Sequence, residues 1–165
     1  MTSRIDIVNK LFAPKTQGTF VGLKLTPESI LKLEEILENS DLDRFITPHD
    51  YHLTLFYSTD KPITFYQPKV GFKYQASVNS IDFLGKGLVL KLSVGDDLMD
   101  RHNEIADSYG VEHSFDKLLP HVTVKYYEDK NSVVPSDLEI LKRIIPDDLI
   151  LEFDTEYSEP VDDTK

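Results

Sequence analysis

Two stretches of this 165-residue chain repeat one another in order and in spacing. "FVGLKLT", a helical stretch and "HLTLFY" are matched by "LVLKLSV", a second helical stretch and "HVTVKY". Lys24 lies 28 residues before His52, and Lys91 lies 30 residues before His121. The shared motif is His, apolar, Thr, apolar, any residue, Tyr. A repeated supersecondary unit buries its apolar face against its neighbour rather than alone. The expected fold is therefore α+β and bilobal: two pseudo-symmetric strand–helix–strand lobes, with both His-x-Thr strands meeting at a central cleft. It forms one domain over residues 1–165, with 1–17 and 161–165 as loose ends.

The rest of the chain reads as alternating strands and helices. "GTFVGLKL" is a strand, and "TPESILKLEEILENS" a helix with Thr26 as N-cap and Pro27 in the first turn. Ile30, Leu33 and Leu37 share one helical face. "YHLTLFY" is a strand, "GFKYQASVNSIDFL" one long strand or two short ones, and "GLVLKLSV" another. A helix over about 97–109 carries Leu98, His102, Ile105 and Tyr109 on one side and stops at Gly110. "HVTVKYY" is a strand, Ser136 and Glu139 form a capping box for "SDLEILKRII", and "LILEFDTEY" is the last strand. The tail "SEPVDDTK" reads as solvated.

Charge narrows the partners. Eighteen Lys and Arg against 29 Asp and Glu give −11, and no basic run interrupts the acidic background. Proteins that track a long phosphate backbone need clustered basic residues to release its counterions. Long RNA or DNA is excluded on that ground, whereas a small anion held in one pocket is not. Without cysteine there is neither a disulfide framework nor a thiolate metal site. No apolar run reaches membrane-spanning length and no signal-peptide core is present, so a soluble intracellular protein with no membrane partner is expected.

The histidines carry the chemistry. Side chains alternate along a strand, which puts His52 with Thr54, and His121 with Thr123 and Lys125, on polar faces. Two imidazoles across a cleft suit phosphoryl transfer: one takes a proton from the attacking hydroxyl, and the other gives one to the leaving oxygen. Each threonine hydroxyl sits where it can hydrogen-bond a non-bridging phosphate oxygen. This chemistry calls for no metal and no cofactor. Zinc is the competing reading, from His49, Asp50 and His52, but His49 and His52 point to opposite faces of an extended chain. His102 reads as a satisfied core histidine, and His113 falls in a loop with no role assigned. Tyr57 and Tyr126 stand five positions after their histidines and fall on the core face. Lys125 is either within reach of a phosphate or solvated at its strand's end.

These paired motifs resemble the two-histidine (2H) phosphoesterase superfamily. Within it the chain is most similar to the phage anti-CBASS cyclic-oligonucleotide phosphodiesterases, through "GTFVGLKL", "HLTLFYS", "RHNEIADSYGVEHSFD", "PHVTVKYYED" and "EYSEP". The resemblance implies a metal-independent enzyme made in the host bacterial cytoplasm. Its substrates would be cyclic di- and trinucleotides such as cyclic GMP–AMP, the messengers by which the host signals infection. His52 and His121 would be its acid–base pair, with Thr54 and Thr123 holding the phosphate. Phe20 would stack on a base in place of the family's usual tyrosine, and Glu156 matches a ligand-contacting glutamate near the C-terminus. The rival functions are a 2H esterase acting on 2′,3′-cyclic phosphates or RNA ends, and a non-enzymatic sponge for the same messengers.

Overall fold

Thr26 and Pro27 start the first helix as their chemistry requires. The Thr26 hydroxyl accepts the Ser29 N–H at 3.1 Å, and proline, which has no N–H to satisfy, opens the first turn. The structure is a computed structural model that describes residues 16–40, 42, 50–60, 62–115 and 117–162. Within these residues the element order is β1 (Thr16–Leu25), α1 (Pro27–Glu38), β2 (His52–Ser58), β3 (Tyr74–Leu84), β4 (Gly87–Val94), α2 (Asp96–Tyr109), β5 (His121–Tyr126), α3 (Pro135–Ile144) and β6 (Ile150–Asp162). The strands are hydrogen-bonded in the closed order β1-β2-β5-β4-β3-β6, and each pairing is antiparallel. The fold is α+β.

The helices bury the stripes expected of them. Leu33 and Leu37 of α1 and Leu98, His102 and Ile105 of α2 are buried, and Gly110 ends α2 in the left-handed conformation at φ 63°. The four apolar residues among these pack with Val21, Leu23, Leu53, Val122, Leu90 and Phe153 in one apolar core. No helix among the described residues is long and apolar enough to cross a membrane.

Two expectations change. The capping box does not form: Val134 is the N-cap of α3, and no side chain caps it. The N-cap falls two residues earlier than Ser136, so Pro135 opens the helix and Ser136 lies in its first turn. The tail is also not loose as far as Asp162. β6 continues through "SEPVD" because β1 offers a full edge, pairing Val21 with Ser158, Phe20 with Glu159 and Gly18 with Val161. Pro160 is tolerated because β3 pairs only with Ile150–Phe153, so this part of β6 is an edge.

β2 and β5 each carry a β-bulge immediately after the His-x-Thr motif. Val21 pairs with Phe56 and Gly22 with Thr54, which leaves Leu55 as an extra residue. Leu88 pairs with Lys125 and Val89 with Thr123, which leaves Val124 extra. A one-residue insertion reverses the faces of everything beyond it. Tyr57 and Tyr126 are thereby returned to the histidine face, and Lys125 is turned to the core side. A third bulge, at Asp154, acts the same way on β6, because Leu25 pairs with Phe153 but Lys24 with Thr155.

Candidate active site

Leu53 of β2 is bonded to Val122 of β5, and both are fully buried. Continuing that antiparallel register puts His52 opposite Thr123 and Thr54 opposite His121, all four on the face away from the core. Sequence spacing pointed to these four residues, and the structure brings them together. Thr123 is buried, while the other three are half-buried.

Both histidines are oriented in the same way. Nδ1 of His52 lies 2.8 Å from the Asp50 carbonyl oxygen, and Nδ1 of His121 lies 2.7 Å from that of Leu119. A carbonyl only accepts, so each Nδ1 carries the proton and Nε2 is the basic atom of each neutral ring. Burial pushes the His121 pKa below the ordinary histidine value; the Leu119 bond opposes this, and the charges of His52 and Lys91 add to it. Lys24 is the cross-strand neighbour of His52, and Lys91 that of His121.

Aromatic rings close one side. Phe20 packs edge-on against His52 with centroids 5.5 Å apart, and 5.8 Å from Tyr157. Tyr157 lies across Gly22, where a Cβ would come within 2.7 Å of its ring, so any larger residue there would displace the tyrosine. Phe20, His52, Tyr57, Tyr157 and Glu159 line a cleft of about 260 Å³. On the other side Thr54 and His121 open into a cleft of about 530 Å³ walled by Tyr57, Leu84, Phe115 and Leu119. Burial, then Glu159, Asp50 and Tyr126, push the Tyr157 hydroxyl up to about 12.

Two residues expected at the ligand are engaged elsewhere. Lys125 is buried, with Nζ 2.9 Å from Asp137 Oδ2, an oxygen that also accepts the Tyr127 hydroxyl at 2.7 Å. Glu156 faces Leu23 on the core side and receives Arg101 Nε at 2.8 Å, Arg101 Nη2 at 2.9 Å, the Tyr66 hydroxyl at 2.7 Å and the Lys69 N–H at 2.7 Å. Burial alone would raise its carboxyl, but the hydrogen bonds from Arg101, Lys69 and Tyr66 hold it below the usual carboxylate range. The bulges explain both placements. They also explain why Tyr57 and Tyr157 were missed: an inserted residue leaves no mark on apolar alternation, although "EYSEP" and the tyrosine of the repeat were visible.

The two remaining described histidines serve the first bulge. His102 Nδ1 lies 2.7 Å from the Leu55 carbonyl, and the Tyr57 N–H donates to His113 Nδ1 at 3.1 Å. His102 is the buried, satisfied histidine expected of its helical face. Its ring meets that of His113 edge-on at 4.8 Å. Burial and then the neighbouring His102 push the His113 pKa down, as suits a nitrogen that must accept. His49, the third member of the zinc reading, lies outside the described residues. Among the described residues no three His, Asp or Glu side chains are grouped to hold a metal ion.

Comparison with known proteins finds similarity over nearly the whole chain. A protein from Vibrio phage KVP40, anti-CBASS protein Acb1, is 28% identical over 152 residues that cover 90% of each chain. The family model of anti-CBASS protein Acb1 matches residues 17–165, which include both His-x-Thr strands, both bulges and β6. This chain therefore belongs to the anti-CBASS protein Acb1 family.

Proposed function

We propose that the chain is a metal-independent phosphodiesterase of the 2H type. It opens 3′–5′ bonds in cyclic di- and trinucleotide messengers and so lets a phage evade its host's CBASS immunity. The observation that carries this reading is the pairing of two identically oriented imidazoles, each with Nε2 as its reactive nitrogen, beside two threonine hydroxyls. Family membership supports the anti-CBASS role. The two facing lobes of a 2H enzyme would correspond to β1–α1–β2 and β4–α2–β5.

His121 is the base. Burial beside His52 and Lys91 favours its neutral form, which can take a proton at Nε2. That proton comes from the ribose 2′-hydroxyl next to the scissile 3′-phosphate. The 2′ oxygen bonds to phosphorus while the bond from phosphorus to the 5′ oxygen breaks, and His52 protonates the departing 5′ oxygen. Intramolecular placement of the nucleophile replaces what a metal-activated water would otherwise supply. Thr54 and Thr123 donate to the non-bridging oxygens as charge builds there. A 2′,3′-cyclic phosphate results. Water then opens it: the now neutral His52 takes the water proton, and protonated His121 returns one to the 2′ oxygen, leaving a linear 3′-phosphate.

A cyclic dinucleotide with 2′-deoxyribose at the cleaved position tests the nucleophile. It should bind and remain intact, and cleavage at the rate of the ribose form would mean direct attack by water. Messenger bound but never cut, even in its ribose form, would make the chain a sponge.

A further inference from the structure

Exposed apolar side chains scattered singly over a surface need no explanation. Here three of them gather at the reacting groups. Leu84 is 37% exposed, Leu119 54% and Phe115 62%, and all line the cleft of about 530 Å³ that opens onto Thr54 and His121. Phe115 is stacked on Tyr57 with centroids 5.7 Å apart and ring planes 27° from parallel.

This stack is pinned. The Tyr57 N–H donates to His113 at 3.1 Å, the Tyr57 carbonyl accepts the Ser114 N–H at 2.8 Å, and the Thr59 N–H donates to Ser114 Oγ at 2.8 Å. The loop carrying Phe115 is thus bonded edge to edge with the bulged end of β2. An aromatic platform fixed in this way costs a ligand little ordering.

Resting on the phosphodiesterase reading above, we propose that the Tyr57–Phe115 cleft is a second nucleobase site, distinct from the one at Phe20. Its occupant is the base of the nucleotide on the His121 side of the scissile phosphate. Tyr57 lines both clefts, one of which holds His52 and the other His121, so a cyclic dinucleotide seated on the four His and Thr side chains has one aromatic-walled space for each base. The walls are mainly apolar and aromatic, which suits stacking more than edge recognition. Apart from the reacting groups, the exceptions are Lys117 and His113. The His113 Nδ1 accepts from Tyr57, so its Nε2 carries the proton, and any hydrogen bond His113 makes to a base is as a donor. One base therefore reads Phe20 and Tyr157, and the other reads Phe115.

Steady-state kinetics on cyclic GMP–AMP, with calorimetric binding of its uncleavable 2′-deoxy analogue, test the site. Phe115→Ala should raise KM and the analogue's Kd on the order of 10- to 100-fold, as expected for one lost base–aromatic stack, with kcat nearly unchanged. Phe115→Tyr should restore both. Should Phe115→Ala lower Tm, Phe115→Leu, which keeps apolar bulk without a ring face, should give the same rise. Wild-type KM and Kd in the folded alanine or leucine variant would remove this site and leave the phosphodiesterase reading standing. A wild-type protein that neither binds nor cuts the dinucleotide would remove both.

Discussion

The two halves each contribute one His-x-Thr pair followed by the same bulge, yet different chemistry holds each bulge in place. In the first half the bulged strand is bonded to two imidazoles, His102 at the Leu55 carbonyl and His113 at the Tyr57 N–H. In the second, the residue after the bulge is Lys125, whose ammonium is held by Asp137 under the Tyr127 hydroxyl. The main-chain N–H of Tyr127 is bonded to the Lys86 carbonyl at 2.7 Å. Phe56 and Lys125 are equivalent in the repeat, one apolar and one charged. What the halves share is the geometry of the bulge, which returns one tyrosine of each half to the histidine face. The means of anchoring it is free to differ.

The largest effects should be symmetric between the halves. His52→Ala and His121→Ala should each cut turnover of a cyclic dinucleotide by about 10²–10⁴-fold while leaving Tm and ligand binding close to wild type. Unequal loss, with one variant near wild-type rate, would confine proton transfer to a single half.

Smaller effects should separate the halves. Asp137→Ala removes the carboxylate oxygen that receives both the Lys125 ammonium and the Tyr127 hydroxyl, and should cost about 3 kcal/mol of stability in urea unfolding. The equivalent position of the first half, Phe56, carries no charge to be held. A Tm unchanged in Asp137→Ala would show that the Lys125 ammonium does not depend on Asp137 to stay buried. In the first half, His113→Leu leaves the Tyr57 N–H without its acceptor and should cost about 1–3 kcal/mol. His113→Asn, which restores an acceptor oxygen, should recover part of that, along with the slow hydrogen exchange of the Tyr57 amide. Equal behaviour of the two variants would mean that the imidazole matters for packing alone.

The smallest expected effect is on pH. His121 and His113 are both held below the ordinary histidine value in the folded protein. The unfolded chain takes up these protons near pH 6.5 and the folded protein only below it. Their contribution to stability is thus complete above about pH 6.5 and is lost as pH falls through the folded values. His121→Asn should flatten that acid limb of stability in part. In the wild type the acid limb of kcat/KM, which reports the free enzyme, should fall below pH 6.5. A limb at or above that value would argue against His121 as the base.

Much of this was legible in the sequence because the repeat is written in residues that only alternation explains. His and Thr two apart on a strand fix a polar face, and the lysines at matching offsets fix its neighbour strand. Bulges leave no such trace. Leu55 and Phe56 are both apolar, so nothing in "HLTLFY" shows where the alternation reverses, and Tyr57 reads as core. Lys125 misleads in the opposite direction, since a lysine on a strand reads as solvated or ligand-facing until Asp137 is seen opposite it. Glu156 and Tyr157 exchange roles for the same reason, through the extra residue at Asp154. Pro160 suggests a frayed end, and only the length of β1 shows that an edge strand continues through it. The base-binding cleft at Phe115 was out of reach because it depends on a loop bonded to β2 from 55 residues away.

The most direct test of the account is one incubation of the purified protein with cyclic GMP–AMP in excess EDTA, resolved by chromatography beside the His52→Ala and His121→Ala proteins. The account predicts a linear product ending in a 3′-phosphate, preceded by a 2′,3′-cyclic phosphate, from the wild type, and intact ligand from both variants. Ligand returned intact from the wild type, or turnover that requires an added divalent ion, would contradict it.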